Sequence, residues 1–242
     1  MSSMDEIERH YTLKFWSGFY IRSYYICAVQ EQSSAGKAIS RVISIVFHPV
    51  FVPAMVYGFL LLFSSDFLFG IPEKTQNWWL VIIAYITITF PLLVVFLLWR
   101  LKFIDSMQMR GLKERYGPLI ASMMFYFWTF WLFHKQFNAP LLLQSFLLGV
   151  FLGTVCLFMA TIFYKISLHT GAWGAVVMFA ILCAFHHLQS SLVFLILAIL
   201  IAGIVGTSRS ILQEHSKKQL YSGYIVGGFA QLIAYFICKT YL

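Results

Sequence analysis

The amino-acid sequence predicts an all-α fold, a polytopic transmembrane helical bundle. Of its 242 residues, 60% are hydrophobic and only 11% are charged, whereas a soluble domain is about 25% charged. The apolar residues form continuous runs about as long as the roughly 20 residues that a helix needs to cross a bilayer. These runs lack the in-out alternation of a transmembrane β-barrel. Because helices satisfy their own backbone hydrogen bonds in lipid, we expect one helical domain.

The N-terminal segment, residues 1–38, is predicted to be interfacial or flexible. Acidic residues near its start are not compatible with a secretory signal, which begins with basic residues. Aromatic side chains mixed with Lys14 and Arg22 over residues 11–29 are typical of a helix in the lipid headgroup layer. A loosely ordered extension is the alternative. The transmembrane domain is expected to cover residues 39–242.

Seven apolar runs along the chain are predicted to cross the membrane. They cover residues 42–63, 79–99, 118–134, 141–164, 172–187, 190–207 and 221–238. Pro49, Pro53 and Pro91 are expected to kink the first two runs, which a bilayer tolerates where neighbouring groups satisfy the freed carbonyls. Only three residues separate the fifth and sixth runs, so these two form a tight hairpin, or one of them is partly re-entrant.

The loops after the second, fourth and sixth spans must lie on the same membrane face. They comprise residues 100–117, 165–171 and 208–220. Together with the N-terminal segment, this face carries 14 of the 17 Lys and Arg residues. Because Lys and Arg favour the cytoplasmic side, we expect a protein of a bacterial cytoplasmic membrane whose polar face is cytoplasmic.

The excess of positive charge indicates the kind of partner. The formal net charge is +8. Because the basic residues cluster in short loops beside apolar runs, we expect a lipid bilayer and a phosphate group as partners and no nucleic acid. The four cysteines are isolated and show no metal-ligand spacing. We therefore expect no metal and no other cofactor. The sequence does not indicate an oligomeric state.

Two polar clusters interrupt the apolar runs. In the later one, Ser208 and Arg209 are followed after five residues by His215 and after three more by Gln219. In the earlier one, residues 165–169 have the sequence Lys-Ile-Ser-Leu-His. Ionisable residues among transmembrane helices usually mark a functional site. Two histidines beside several cations suit the transfer of a phosphoryl group through nitrogen. Four further histidines, His48, His134, His186 and His187, are expected to be interfacial or structural.

These clusters resemble a known family. The spacing Ser-Arg-x5-His-x3-Gln resembles the third signature of the type 2 phosphatidate phosphatase superfamily, S-R-x5-H-x3-D, which includes lipid phosphatases and vanadium haloperoxidases. Residues 165–169 are similar to its second signature, P-S-G-H, with Leu168 in place of the glycine. The resemblance covers roughly residues 100–230. It implies the six-helix core of the family, with one extra span here.

The first signature of the family, K-x6-R-P, is matched best by Arg115. The proline, Pro118, follows three residues later rather than next to the arginine, and Gln108 stands where the lysine is expected. Arg110 and Lys165 are the candidates for the missing positive charge.

The resemblance implies a role for each residue. His215 is the nucleophile that forms a phosphohistidine, and His169 protonates the departing alkoxide and then activates water. Gln219, in place of the family's aspartate, is expected to accept a hydrogen bond from the other ring N–H of His215. The expected phosphate-binding residues are Arg115, Lys165, Ser167 and Arg209. Arginine forks match phosphate oxygens, and a serine at a helix start offers donors near the positive end of the dipole.

The function expected from these residues is hydrolysis of a lipid phosphomonoester or pyrophosphate at the bilayer surface. The reaction would pass through a phosphohistidine and would need no metal. Phosphatidate and phosphatidylglycerol phosphate are examples of such substrates. Two alternatives stay open: a lipid phosphotransferase that uses the same site, and a catalytically inactive relative that binds or transports lipid.

Overall fold

The computed structural model describes residues 34–63, 67–105, 111, 113–188 and 190–241. Of these residues 84% are helical and none lies in a strand. The helices are α1 (Ser34–Val46), α2 (Val52–Phe63), α3 (Glu73–Arg100), α4 (Tyr116–Lys135), α5 (Leu141–Phe163), α6 (Leu168–Phe185), α7 (Ser191–Ile211) and α8 (Lys217–Tyr241). The prediction of an all-α polytopic bundle is confirmed.

The chain divides into two compact units, residues 1–39 and 40–242. The structure describes the first unit only from Ser34, where α1 begins. The predicted interfacial segment, residues 1–38, therefore lies almost wholly outside the described residues. The second unit contains all the other helices and every site residue that the sequence predicted.

Six segments of the described chain are long and apolar enough to cross a membrane. They are Ser34–Phe63, Glu73–Arg100, Leu141–Phe163, Leu168–Phe185, Ser191–Ile211 and Lys217–Tyr241. The third predicted span, residues 118–134, is not among them. It lies within α4, whose glycine, proline, hydroxyl and tryptophan residues lower its mean hydropathy.

Helix α4 nevertheless packs against two of the apolar helices. Its 20 residues extend about 30 Å, and it packs between α3 and α5. Helices α4 and α5 form a hairpin, and the residues at its two open ends, Arg115 and Lys165, both act electrostatically on His215. The connectors before α4 and after α5 therefore both approach His215, whereas the membrane face on which they lie stays a prediction.

Two of those loops are shorter than predicted. Ser167 caps α6, so His169 lies in the first helical turn rather than in a loop. Helix α7 continues to Ile211, so Arg209 lies in its last turn. Arg209 is buried, and this inward position accounts for a charged residue at the end of an apolar helix.

Proline breaks the first predicted span between α1 and α2. A proline lacks the N–H and its ring clashes with the preceding turn of a helix. Helix α1 accordingly ends at Val46, and Pro49–Phe51 forms a short 3₁₀ turn. His48 caps this turn, because its Nδ1 accepts a hydrogen bond from the Val50 N–H at 3.3 Å.

Helix α3 contains a π-helical turn, Tyr85–Thr89, just before Pro91. Pro91 has no N–H to donate, and the wider π-helical turn allows the helix to continue past the missing hydrogen bond. The predicted kink therefore takes the form of a π turn. Thr87 donates from its hydroxyl to the carbonyl of Ile83 at 2.8 Å. The π turn packs against the 3₁₀ turn Pro49–Phe51. Both irregular turns thus lie next to each other.

Helices α6 and α8 approach closely because glycines lie between them. A Cβ atom on Gly227 would overlap the carbonyl oxygen of Gly171, and one on Gly174 would overlap the backbone of Tyr224. Gly223, four residues before Gly227, faces the same helix. Small residues at this spacing allow two backbones to meet in a membrane. The contact brings the first turns of α6 and α8 together.

We expect Gly227→Ala to destabilise the protein, because the added methyl group meets a backbone carbonyl that cannot rotate away. Overpacking of this kind costs about 1–3 kcal/mol. Gly203→Ala on α7 is the matched control, since a Cβ there meets nothing within 4 Å and alanine favours a helix by about 0.5–1 kcal/mol. Thermal unfolding in detergent measures both variants. Equal melting temperatures would contradict the close contact of α6 and α8.

Candidate active site

The candidate site lies where three connectors meet around His215, between α7 and α8. The His215 side chain is buried, with 8% of its surface exposed. Three cations act on its ring, namely Arg209, Arg115 and Lys165. Arg115 precedes α4, Lys165 lies between α5 and α6, and Arg209 ends α7. The structure thus brings together the predicted nucleophile and all three predicted cationic residues.

This environment controls the protonation of the imidazole. Burial, followed by the charges of Arg209, Arg115 and Lys165, lowers the pKa of His215 from 6.5 to about 4. The ring is therefore neutral near pH 7 and keeps the lone pair that a nucleophile needs. Burial also lowers the pKa of the Arg115 guanidinium, an effect that the charge of Arg209 reinforces and that of Glu214 opposes.

Arg209 presents one engaged and one unengaged side of its guanidinium. Its Nη2 donates to the carboxylate of Glu214 in an ion pair. Its Nε is buried and has no hydrogen-bond partner within the described chain. The Glu214 side chain is 48% exposed, and it follows Gln213, which has a φ of 53°. A guanidinium in this state retains donors for a second anion.

Ser167 connects the start of α6 to the start of α8. It is fully buried, and its hydroxyl oxygen accepts from the Thr170 N–H at 3.4 Å. Its backbone N–H donates to the carbonyl of Gln219 at 3.4 Å. This N–H is therefore engaged by the carbonyl of Gln219 in the structure, and phosphate binding by Ser167 stays a prediction. The serine hydroxyl hydrogen is the donor that remains.

His169 is fixed from the opposite side by α1. Its Nε2 lies 3.1 Å from the carbonyl oxygen of Ser44. Because a carbonyl can only accept, Nε2 carries a hydrogen, and the lone pair of the neutral ring is on Nδ1. The charges of Arg209 and His215 both act on His169. The two predicted catalytic histidines therefore share one electrostatic environment.

His48, which the sequence analysis expected to be interfacial or structural, lies next to His169 in this cluster. Its ring lies perpendicular to that of His169, with centroids 5.0 Å apart, and the charge of Arg209 acts on it. One signal was available in the sequence. His48 is an ionisable residue inside an apolar run, which usually indicates function, and it directly precedes the helix-breaking Pro49.

Gln219 lies beside His215, but its best-defined hydrogen bonds are to Ser216. Its Oε1 accepts from the Ser216 N–H at 3.0 Å, and its own N–H donates to the Ser216 hydroxyl at 3.4 Å. This pair is a capping box at the start of α8. The Gln219 amide still interacts with the imidazole enough to oppose the lowering of the His215 pKa. Nδ1 of His215, however, has no partner at hydrogen-bonding distance among the described residues. The Gln219 side chain thus caps α8 and also interacts with the imidazole, and a hydrogen bond from the His215 ring to Gln219 stays a prediction.

The remaining polar side chains make separate contacts. His134 meets Gln144 at 2.8 Å, and His186 meets the Tyr235 hydroxyl at 2.9 Å, so both have the structural role that was expected.

Gln108 and Arg110 of the first signature lie outside the described residues, and Lys165 is the candidate replacement seen beside His215. No group of three or more His, Cys, Asp or Glu side chains in the described ranges could hold a metal ion.

An open depression on the surface does not coincide with this site. It is lined by Glu73, Lys74, Asn77, Trp78 and Val81 at the start of α3. It contains neither histidine nor arginine, so the histidine cluster is the better candidate for chemistry.

Comparisons of the chain with protein-family models, with curated proteins and with solved structures found no match in any of the three.

Proposed function

We propose that this protein is a membrane-embedded phosphatase that hydrolyses a lipid phosphomonoester or pyrophosphate through a phosphohistidine on His215, without a metal. One observation carries the proposal: two connectors and the last turn of α7 each contribute a cation that acts on a buried, neutral imidazole. Catalysis of phosphoryl transfer is mostly positioning and electrostatic stabilisation. A ring that stays unprotonated among cations is equipped for attack on an anionic phosphate.

In the first step, a ring nitrogen of His215 attacks phosphorus in line with the bond to the lipid oxygen. The N–P bond forms as the P–O bond breaks. At rest the His169 ring is neutral and keeps its Nε2–H on the Ser44 carbonyl. Its Nδ1 takes the proton that a phosphate monoanion brings to the site, and gives this proton to the leaving oxygen as the P–O bond breaks. Arg115, Lys165 and Arg209 stabilise the charge on the non-bridging oxygens.

In the second step, water attacks the phosphohistidine. Nδ1 of His169, now with a lone pair, takes a proton from the water as the new P–O bond forms and the N–P bond breaks. Inorganic phosphate takes that proton from His169 as it leaves, so His215 and His169 both recover their lone pairs. With a pyrophosphate substrate, the first leaving group is the lipid monophosphate instead of an alkoxide.

The lipid tail would lie along the apolar helices while the headgroup enters among the connectors. We assign the site to the cytoplasmic face because 14 of the 17 Lys and Arg residues belong to that side of the sequence. A cysteine at Gln213, which is exposed beside His215, tests this assignment. An impermeant maleimide should label it in permeabilised cells only, and labelling in intact cells would reverse the orientation.

Release of inorganic phosphate from a lipid panel tests the function. The panel holds phosphatidate, phosphatidylglycerol phosphate and a polyprenyl pyrophosphate, with phosphatidylglycerol as a diester control. We expect release from at least one of the first three, none from the diester, and no effect of EDTA. Adding an acceptor alcohol separates hydrolysis from transfer. Inertness towards all four lipids would contradict the proposal and favour a lipid-binding role.

A further inference from the structure

We propose that His48 is a positioning residue for His169, so that the turn between α1 and α2 belongs to the active site. This inference rests on the proposed function, because it concerns the proton donor of that reaction. The turn lies outside the part of the chain that resembles the phosphatase family, and it is more than a hundred residues away from His169 in sequence.

Residues 44–48 hold one face of α6 at two successive turns. In the first turn, the Ser44 carbonyl accepts from Nε2–H of His169 at 3.1 Å. One turn later, the Trp173 indole N–H donates to the Phe47 carbonyl at 3.1 Å. The rings of Phe47 and Trp173 also meet edge to face, with centroids 5.5 Å apart. The segment and this face of α6 therefore form one fixed unit.

The His48 ring is itself held in one orientation. Its Nδ1 accepts from the Val50 N–H at 3.3 Å, so the hydrogen of the neutral ring is on Nε2. The π turn of α3 packs against Pro49–Phe51 from the other side. The His48 ring therefore meets the His169 ring in a fixed T-shaped arrangement, in which the two ring planes are at 90° to each other.

This contact matters for the chemistry assigned to His169. The single hydrogen bond to Ser44 leaves the imidazole free to swing about the axis of that bond. The perpendicular His48 ring blocks that motion and so fixes where Nδ1 points. Proton transfer requires Nδ1 to face the leaving oxygen and later the water, and a misplacement of about 1 Å can cost about 10²-fold.

The test compares an alkyl lipid phosphate with an aryl phosphate whose leaving group needs no proton. His169→Ala should lose activity mainly on the alkyl ester. His48→Ala should show the same bias, with a loss of about 10–100-fold on the alkyl ester, and His48→Ala combined with His169→Ala should be no worse than His169→Ala alone. If His48→Ala does not fold, His48→Asn replaces it, since the amide oxygen can still accept from Val50.

Trp173→Phe is the control, because it removes the other hydrogen bond between residues 44–48 and α6 without touching His169. It should lower the melting temperature and leave the ratio of aryl to alkyl rates unchanged. If the wild type hydrolyses neither ester, the proposed function fails. If His169→Ala behaves as expected but the His48 variant loses equally on both esters, or its loss adds fully to that of His169→Ala, only the role of His48 is overturned.

Discussion

Replacing His215 with alanine is expected to abolish phosphate release while leaving the bundle folded. The imidazole is the only group assigned to bond with phosphorus, and removal of such a nucleophile costs about 10³-fold or more in kcat. The fold should tolerate the change for two reasons. His215 lies in a connector rather than in a helix, and its buried Nδ1 makes no hydrogen bond within the described chain that the substitution would break.

Two controls make this result specific. Gln213→Ala changes an exposed residue of the same connector and should retain wild-type turnover. Melting temperatures of both variants in detergent should match that of the wild type within a few degrees. If His215→Ala keeps more than about one hundredth of the activity, another group attacks phosphorus and the phosphohistidine is wrong. Trapping of labelled phosphate on the wild type, but not on the variant, gives the complementary measurement.

The sequence was sufficient to predict the helices and the cationic cluster. Continuous apolar runs indicate spans, and an even number of spans between connectors puts Arg115, Lys165 and Arg209 on one face. That argument uses only chain connectivity, and in the structure the charges of all three residues do act on one ring, that of His215. The prediction of a common face depends on α4 crossing the membrane. This helix is less apolar than its neighbours, and its packing between α3 and α5 accounts for its place in the bundle.

The contacts within the cluster could not be predicted in the same way. The hydrogen bond from His169 to Ser44 joins residues 125 positions apart, and hydropathy does not specify which helices touch. The glycines of α6 and α8 allow these two helices to pack closely, but the sequence does not show which helix each glycine faces. Gln219 shows a second limit. Its spacing to His215 suggested a bond to the ring, but its spacing to Ser216 also fits a helix cap. The structure contains that cap in addition to an interaction of Gln219 with the ring.

The ion pair of Arg209 with Glu214 gives the second large effect. Arg209→Gln is expected to lower kcat/KM by about 10²–10³-fold, the usual result of losing a donor to transition-state charge. The variant loses a forked donor and also leaves the Glu214 carboxylate without its partner close to an anionic substrate. Lys239→Gln, which removes one positive charge in the last turn of α8, should leave kcat/KM unchanged and controls for net charge.

The pH dependence of Arg209→Gln follows from the same contact. The charge of Arg209 is the second largest cause, after burial, of the low pKa of His215, which is about 4. Removing that charge raises the pKa, so the imidazole becomes protonated, and loses its lone pair, at higher pH. With an aryl phosphate, whose leaving group needs no acid, kcat/KM of the wild type should fall only near pH 4. The fall in the variant should begin at higher pH, and an unshifted acid limb would mean that Arg209 does not act on His215.

Combining Arg209→Gln with Glu214→Gln should restore part of the lost activity. The second substitution removes the unpaired carboxylate, and coupling between groups in contact is about 1 kcal/mol, or about 5-fold. Rescue is expected to be incomplete because neither glutamine replaces the forked donor. In the wild-type background, Glu214→Gln alone should not reduce kcat/KM, since Arg209 keeps its charge and gains free donors. If the double variant is worse than Arg209→Gln, Glu214 contributes to the reaction itself, and the carboxylate is more than the resting partner of a phosphate-binding arginine.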